Sequence, residues 1–311
     1  MMLSRVAERL YWMARYLERA EDTARLVNAY SHLILDIPVG SEPGWEVLID
    51  TIDARDAFHQ RYKRLTERNV IKFLLADQDN PSSILASIKA ARENVRTTRD
   101  VLPAQTWEVM NELNLYVSEN ASHGIARRHR FEFLEKIIAG NQQLNGAIRT
   151  TVVRDHGFWF ICLGQLVERC DMTSRIMDVA TAAIGRKSHL AIRELPLLWG
   201  NLLRSLSATS GYRREVGPLV TGGEVIDYIM TARMFPRSLS YCIDRLEESA
   251  ARLDAHLKLM RQIRALARQV TGVKWAELSM EEVHREIDQF QLSLGEVHIG
   301  ITNTWFPPLE D

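Results

Sequence analysis

The sequence predicts an all-α protein made by tandem duplication, with two copies of a helical bundle packed as one two-lobed unit about a pseudo-twofold axis. Three observations lead there. Apolar residues recur at three- and four-residue spacing along nearly the whole chain, and no segment sustains the alternation of a strand. The stretch Glu8 to Val27, ERLYWMARYLERAEDTARLV, returns as LGQLVERCDMTSRIMDV from Leu163 to Val179: Glu18, Arg19, Thr23 and Arg25 fall on Glu168, Arg169, Thr173 and Arg175, and Glu21 on Asp171. Five segments in all recur in the same order at a separation of about 150 to 155 residues, an order that chance likeness between amphipathic helices would not keep.

The first helix is expected to start after Ser4 as N-cap and to run to about Leu35. On it Tyr11, Arg15, Glu18, Asp22 and Arg25 form one stripe, and Leu10, Met13, Leu17, Ala20, Ala24 and Val27 an apolar one. The breaker-rich segment Asp36 to Gly44 ends it. Trp45 opens a second helical pattern through Tyr62, with Trp45, Leu48, Ile49, Ile52 and Phe58 facing inward, and Val70 to Leu75 is a short third. Asn80 and Pro81 mark a helix start with proline at the first helical position, running to a stop at Pro103. Trp107 to about Val117 and Arg130 to about Val153 complete the first half.

In the second half Trp199, Leu202, Leu203, Leu206 and Tyr212 match the second pattern, VIDYIM at Val225 matches VIKFLL at Val70, and Pro236, Ser238 and Glu248 fall on Pro81, Ser83 and Glu93. After Arg252 the likeness weakens, although Ser279 and Glu282 form the signature of a capping box for a last helix. The expected division is residues 1–150 and 151–311, joined by the helix from Arg130 to Val153 and packed as one unit.

A chain of 311 residues with 46% hydrophobic and 25% charged residues is globular, and a net charge of -1 gives no general attraction to nucleic acid or to an anionic membrane. The longest apolar runs, such as Phe158 to Leu163, fall far below the roughly 18 residues that span a bilayer. Cys162, Cys170 and Cys242 fit neither a metal spacing nor a disulfide framework, so a reducing, cytoplasmic setting is expected. GxGxxG, GxxxxGK[ST], GxSxG and HExxH are missing, and of the paired Glu-x-x-His motifs of a di-iron bundle only Glu281 with His284 occurs. No cofactor and no metal are expected. The basic run Arg127, Arg128, His129, Arg130 reads as a solvated helix start, since Glu132 and Glu135 follow it.

What remains is the charged stripe and its echo: Arg15, Glu18, Arg19, Glu21 and Arg25 in the first copy, and Glu168, Arg169, Asp171 and Arg175 in the second. Together with AARENVRTTRDVLPAQTWEVMNEL from Ala90, LWGNLLRSLSATSGYRR and MFPRSLSYCI, these helices resemble the alpha-E family, a bacterial all-helical domain, over essentially the whole chain. Where that family has glycine and arginine in the signature helix, this chain has Ala14 with Arg15 and Gly164 with Gln165. The resemblance implies a place beside circularly permuted ATP-grasp ligases and transglutaminase-like proteases, in a system that makes and removes peptide or amide bonds.

Three readings of the stripe follow. In the first, the glutamates and arginines are ion pairs inside the bundle, fixed by folding. In the second, the bundle docks the ligase or presents a peptide substrate to it, and Arg15, expected to reach solvent, is the contact. In the third, Glu18 or Glu168 is a general base in amide or peptide transfer, although adjacent arginines oppose the raised pKa this needs.

Overall fold

A computed structural model describes residues 4–38, 44–186 and 194–307, and within them every regular element is a helix. In chain order these are α1 (Ser4–Asp36), α2 (Glu46–Thr51), α3 (Arg55–Arg61), α4 (Glu67–Leu75), α5 (Ile84–Arg96), α6 (Ala104–Asn120), α7 (Arg127–Thr151), α8 (His156–Arg186), α9 (Leu195–Ser205), α10 (Thr209–Glu215), α11 (Gly222–Thr231), α12 (Leu239–Ala250), α13 (Leu257–Thr271) and α14 (Met280–Trp305). No described helix is long and apolar enough to cross a membrane.

The two echoed helices, α1 and α8, form the centre and pack on one another. Helix α1 also packs on α5, α7 and α9, and α8 on α12, α14 and α2. Small residues permit the central contact: a Cβ on Gly164 would stand 2.1 Å from the Tyr11 carbonyl oxygen and 3.2 Å from the Ala14 Cβ. Glycine serves here for the room it leaves between two backbones.

Local sequence accounts for the remaining boundaries and corrects three of the expectations. Ser4 is already helical, so it is not the cap. The pattern from Trp45 to Tyr62 is two helices, because Asp53 turns the chain at φ 51°, a left-handed conformation that aspartate tolerates better than most residues. Ser207 makes the same turn at φ 55° between α9 and α10. Pro81 is not helical: Asn80 accepts from the Ser82 amide and donates to the Phe73 carbonyl, which shapes a turn, and the helix begins three residues later. Residues 39–43 of the expected breaker segment lie outside the described residues.

Ser83 caps α5 by accepting from the Ala86 amide, and Ser238 caps α12 by accepting from the Tyr241 amide. Both hydroxyls are buried, and each also donates to a carbonyl of the preceding turn, Asp77 and Ala232 respectively. Replacing either with alanine is expected to cost about 1 to 2 kcal/mol, the upper range for a lost cap, read as a shift in the urea midpoint without a change of slope. The capping box at Ser279 and Glu282 is present at the start of α14.

Beyond Arg252 the sequence likeness fades while the pattern of burial persists. Helix α14 buries Val283, Ile287, Phe290, Leu294, Val297 and Ile301, and α7 buries Arg130, Leu134, Ile137, Asn141, Leu144 and Ile148 at the same spacing, with Phe133, Ile138 and Ala147 widening its buried face. Of the inward residues expected after Trp45, Leu48, Ile49 and Phe58 are fully buried, whereas Trp45 and Ile52 are half-buried. Their later counterparts Trp199, Leu202, Leu203, Leu206 and Tyr212 are all buried.

Candidate functional site

The 3.6-residue period places Arg15, Glu18, Arg19 and Asp22 on neighbouring turns of α1, and the same period places Gln165, Glu168 and Arg169 on α8. Because Ala14 and Gly164 let the helices approach closely, these side chains reach across to one another. Arg169 gives Glu18 a forked pair of hydrogen bonds, from Nε at 2.7 Å and Nη2 at 2.9 Å. Arg19 gives Glu168 its counterpart, from Nε at 2.5 Å and Nη2 at 3.0 Å. The next turn repeats the exchange: Arg15 donates to Glu168 at 2.6 Å, and Gln165 donates to Glu18 at 3.0 Å. Each glutamate is therefore held by the other helix, with the neutral Gln165 on α8 in the role that Arg15 has on α1.

Both glutamates are 1% exposed, and Arg15 and Arg169 are buried as well. Burial acts to raise each carboxyl, but the Arg169 and Arg237 guanidinia outweigh it at Glu18 and hold it at about 2. Arg15 and Arg19 likewise hold Glu168 below the usual carboxylate range. Forked arginine pairs of this kind combine charge with two aligned hydrogen bonds, which makes them strong where water is excluded. Arg15, expected to reach solvent, is instead buried against Glu168, and its guanidinium lies 5.0 Å from the Trp12 ring centre. Beyond it, Tyr11 donates to or accepts from His298 of α14 at 2.8 Å, and burial first, with Arg15 adding to it, lowers His298 to about 4.

The outer members of the stripe pair within their own helices. Arg25 donates to Glu21 and Arg175 to Asp171, each one turn apart, and both arginines are half-buried. Their tips also reach across to the other half, Arg25 to the Ser207 hydroxyl at 2.7 Å and Arg175 to Asp53 at 3.7 Å. Those two partners are the residues in the left-handed turns that follow α2 and α9.

Arg237, at the start of α12, was not singled out by sequence. It is buried and faces three carboxylates: Glu18 at 3.2 Å, Glu21 at 3.1 Å, and Asp22. The only signal for it is its place in MFPRSLSYCI, directly before the Ser238 cap, where the first half has Ser82. Asp22 differs from its neighbours. Burial is the dominant influence, Arg237 is shared among three acids and does not offset it, and the carboxyl is pushed up to about 7 with one oxygen left unpartnered.

This sets a pH dependence whose sign is opposite to that of Glu18. A carboxyl with a folded pKa above its unfolded value, about 3.9, binds its proton more tightly in the native state, so its contribution to stability falls as pH rises from about 4 to about 7. Glu18, held low, contributes stability above its unfolded value of about 4.3 that is lost as pH falls toward 2. Asp22→Asn is expected to flatten the decline between about pH 4 and 7 and to stabilise the protein near pH 8, as measured by urea midpoints across that range. An unchanged slope would contradict this assignment.

The remaining chemical groups lie elsewhere. Cys162, Cys170 and Cys242 are free thiols, with Cys170 and Cys242 buried. Asp178, His284 and Asp288 come together on α8 and α14, while Glu281 lines the adjacent groove. None of the described cavities is lined by Glu18 or Glu168.

The chain is similar to uncharacterised proteins of Mycobacterium bovis and Mycobacterium tuberculosis, with 24% identity over 263 residues in both, and to one from a second M. tuberculosis strain at 23%. The match covers 78% of this chain and 29% of each of those proteins, so the chain spans under a third of the length of the curated relatives it matches. No solved structure matches it significantly. The profile of the Alpha-E family, described as a predicted alpha-helical domain with a conserved ER motif, matches residues 2–306, and the chain belongs to that family.

Proposed function

We propose that the Glu-Arg motif is the fastening at the centre of a duplicated bundle, and that the bundle serves as a non-catalytic partner of a circularly permuted ATP-grasp ligase. A transglutaminase-like protease belongs to the same system in this reading, and the substrate chemistry is the joining of a carboxylate to an amine. The observation that carries the structural half is the reciprocal exchange of Glu18 with Arg169 and Glu168 with Arg19, in which both glutamates are buried and each takes a forked pair of hydrogen bonds.

Duplication accounts for several otherwise unrelated facts. The caps Ser83 and Ser238, the left-handed residues Asp53 and Ser207, and the crossing contacts of Arg25 and Arg175 all recur about 150 to 155 positions apart. The similar burial of α7 and α14 supports carrying the correspondence through the C-terminal third, with residues 1–150 and 151–311 as the two repeats of this reading. Since α1 packs on α8 and α9, and α2 on α8, the repeats share one core and are not independent domains.

A general base must meet its substrate and be free to take a proton. Glu18 and Glu168 meet neither requirement, being 1% exposed and held low by arginines. The partner role draws on the family resemblance and on the relatives, in which the matched region is 29% of a longer chain. The test is co-expression of the full chain with a circularly permuted ATP-grasp ligase from the same organism, followed by size-exclusion chromatography with light scattering. Co-elution as a stoichiometric complex is expected, without ATP hydrolysis by this chain alone. Turnover of a peptide or amide by the purified chain, abolished by Glu18→Gln without loss of stability, would overturn the reading in favour of an enzyme.

A further inference from the structure

The run Arg127 to Arg130, expected to be a solvated helix start, is only partly so. Arg127 is exposed, but Arg130 is 4% exposed and lines a cavity of about 150 Å³ between α1, α7 and the start of α4. Leu35, Trp45 and Phe131 supply most of its apolar wall, and Leu35 and Phe131 stand well exposed at its rim.

Four features give this cavity a preference for one negative charge. Two guanidinia share one carboxylate: Arg127 binds Glu67 through Nε at 2.8 and 3.0 Å, and Arg130 lies 2.9 Å from the same carboxylate, which leaves a net positive charge. The Arg130 Nη2 donates to the Ile125 carbonyl, but its Nε is enclosed and has no acceptor. Burial, the largest influence on Arg130, lowers its affinity for its proton, a sign that its charge is incompletely compensated. The first turn of α7, a helix of 25 residues, contains no acidic residue and has no side-chain cap, so no carboxylate of its own offsets the dipole at this end, where the His129 and Arg130 amides already bond the Ala126 carbonyl.

We propose that this cavity binds one carboxylate carried on a short apolar body, the chemistry of a free hydrophobic acid or of a peptide terminus ending in a hydrophobic residue. The carboxylate takes hydrogen bonds from Arg130 and the first turn of α7, beside the Arg127 and Glu67 pair, and the apolar body lies against Trp45, Leu35 and Phe131. One site per chain is expected. At the equivalent turns of α14, Met280 and Val283 stand in place of Arg127 and Arg130, and Asp178 stands in place of Asn28 on the facing helix. That contrast rests on the duplication proposed above; the site itself does not.

The experiment is isothermal titration of the full chain with N-acetyl-leucine, with N-acetyl-leucinamide, and with a short leucine-terminated peptide as free acid and as amide. One-to-one saturation by the acids is expected, with the amides at least about tenfold weaker, the loss that follows when a charge-assisted contact becomes neutral. Tighter binding of the peptide acid than of N-acetyl-leucine assigns the site to a chain terminus, and the reverse order assigns it to a free acid. Arg130→Gln tests the central contact. Since that side chain is buried and its loss can unfold the helix start, Arg127→Gln, at an exposed position, provides a second arm and should weaken the acids several-fold while leaving the melting temperature unchanged. Equal binding of acid and amide, no saturation by about 10 mM, or unaltered binding by the folded Arg127→Gln variant would each overturn the proposal.

Discussion

Gly164→Ala is expected to destabilise the protein by about 3 kcal/mol or more, the upper end of what overpacking costs, although it adds one methyl group to a helix that alanine otherwise favours. The added Cβ would stand 2.1 Å from the Tyr11 carbonyl oxygen, a backbone atom that no side-chain rotation can move. Relief therefore requires α1 and α8 to separate, and separation would stretch every Glu-Arg contact that crosses between them. Gly146, on α7, is the control: nothing lies within 4 Å of a Cβ built there, so Gly146→Ala should be neutral or stabilising by up to about 1 kcal/mol. Chemical denaturation followed by far-ultraviolet circular dichroism separates the two, and equal midpoints for both variants would contradict the packing described for the central helices.

Glu18→Ala is expected to cost about 3 to 5 kcal/mol, the range for removing one partner of a buried ion pair. Its loss leaves Arg169 and Arg237 buried beside a cavity, with Glu21 and Asp22 still paired to Arg237. Glu168→Ala, which strips Arg15 and Arg19 together, should fall in the same range. An exposed pair of similar appearance, Glu93 with Arg96, supplies the comparison, and its removal should be worth under about 1 kcal/mol. If Glu18→Ala and Glu93→Ala shifted the melting temperature equally, the motif would be no more than a surface pattern.

Much of this fold is legible in the sequence because it depends on spacing. The period of the apolar stripe fixes α1 and α8, the capping box fixes the start of α14, and the recurrence of serine before an apolar run marks the caps at Ser83 and Ser238. Misjudged features depend on tertiary contact or on a single backbone angle. The break between α2 and α3 turns on the left-handed Asp53, whose neighbours keep a helical apolar pattern across it. Asn80 and Pro81 carry the residue types of a helix start, yet the Asn80 side chain is committed to the turn and the cap passes to Ser83.

The site divides in the same way. That Glu18 and Glu168 are buried beside arginines follows from their nearness to the apolar stripe, and the i to i+4 pairs of Arg25 and Arg175 are local. The identity of the crossing partners is not local, because helical spacing alone gives only neighbours within a helix. Arg15 illustrates the difference: its position on the stripe is compatible with solvent, and only the approach of α8 buries it against Glu168. Arg237 illustrates it again, since a loop arginine in sequence becomes the shared partner of three acids 215 or more residues away.

The central claim is that each half of the motif is held by the other half, and a double-mutant cycle on Glu18 and Arg169 tests it most directly. Glu18→Gln, Arg169→Gln and the double variant would be compared by urea unfolding at about pH 7, with glutamine keeping the side-chain length while removing charge. The account predicts a coupling of about 2 kcal/mol or more between these residues, as expected for a desolvated, forked pair, and a similar coupling for Arg19 with Glu168. Additivity to within about 0.5 kcal/mol in both cycles would mean that the two helices do not hold one another through these residues, and would contradict it.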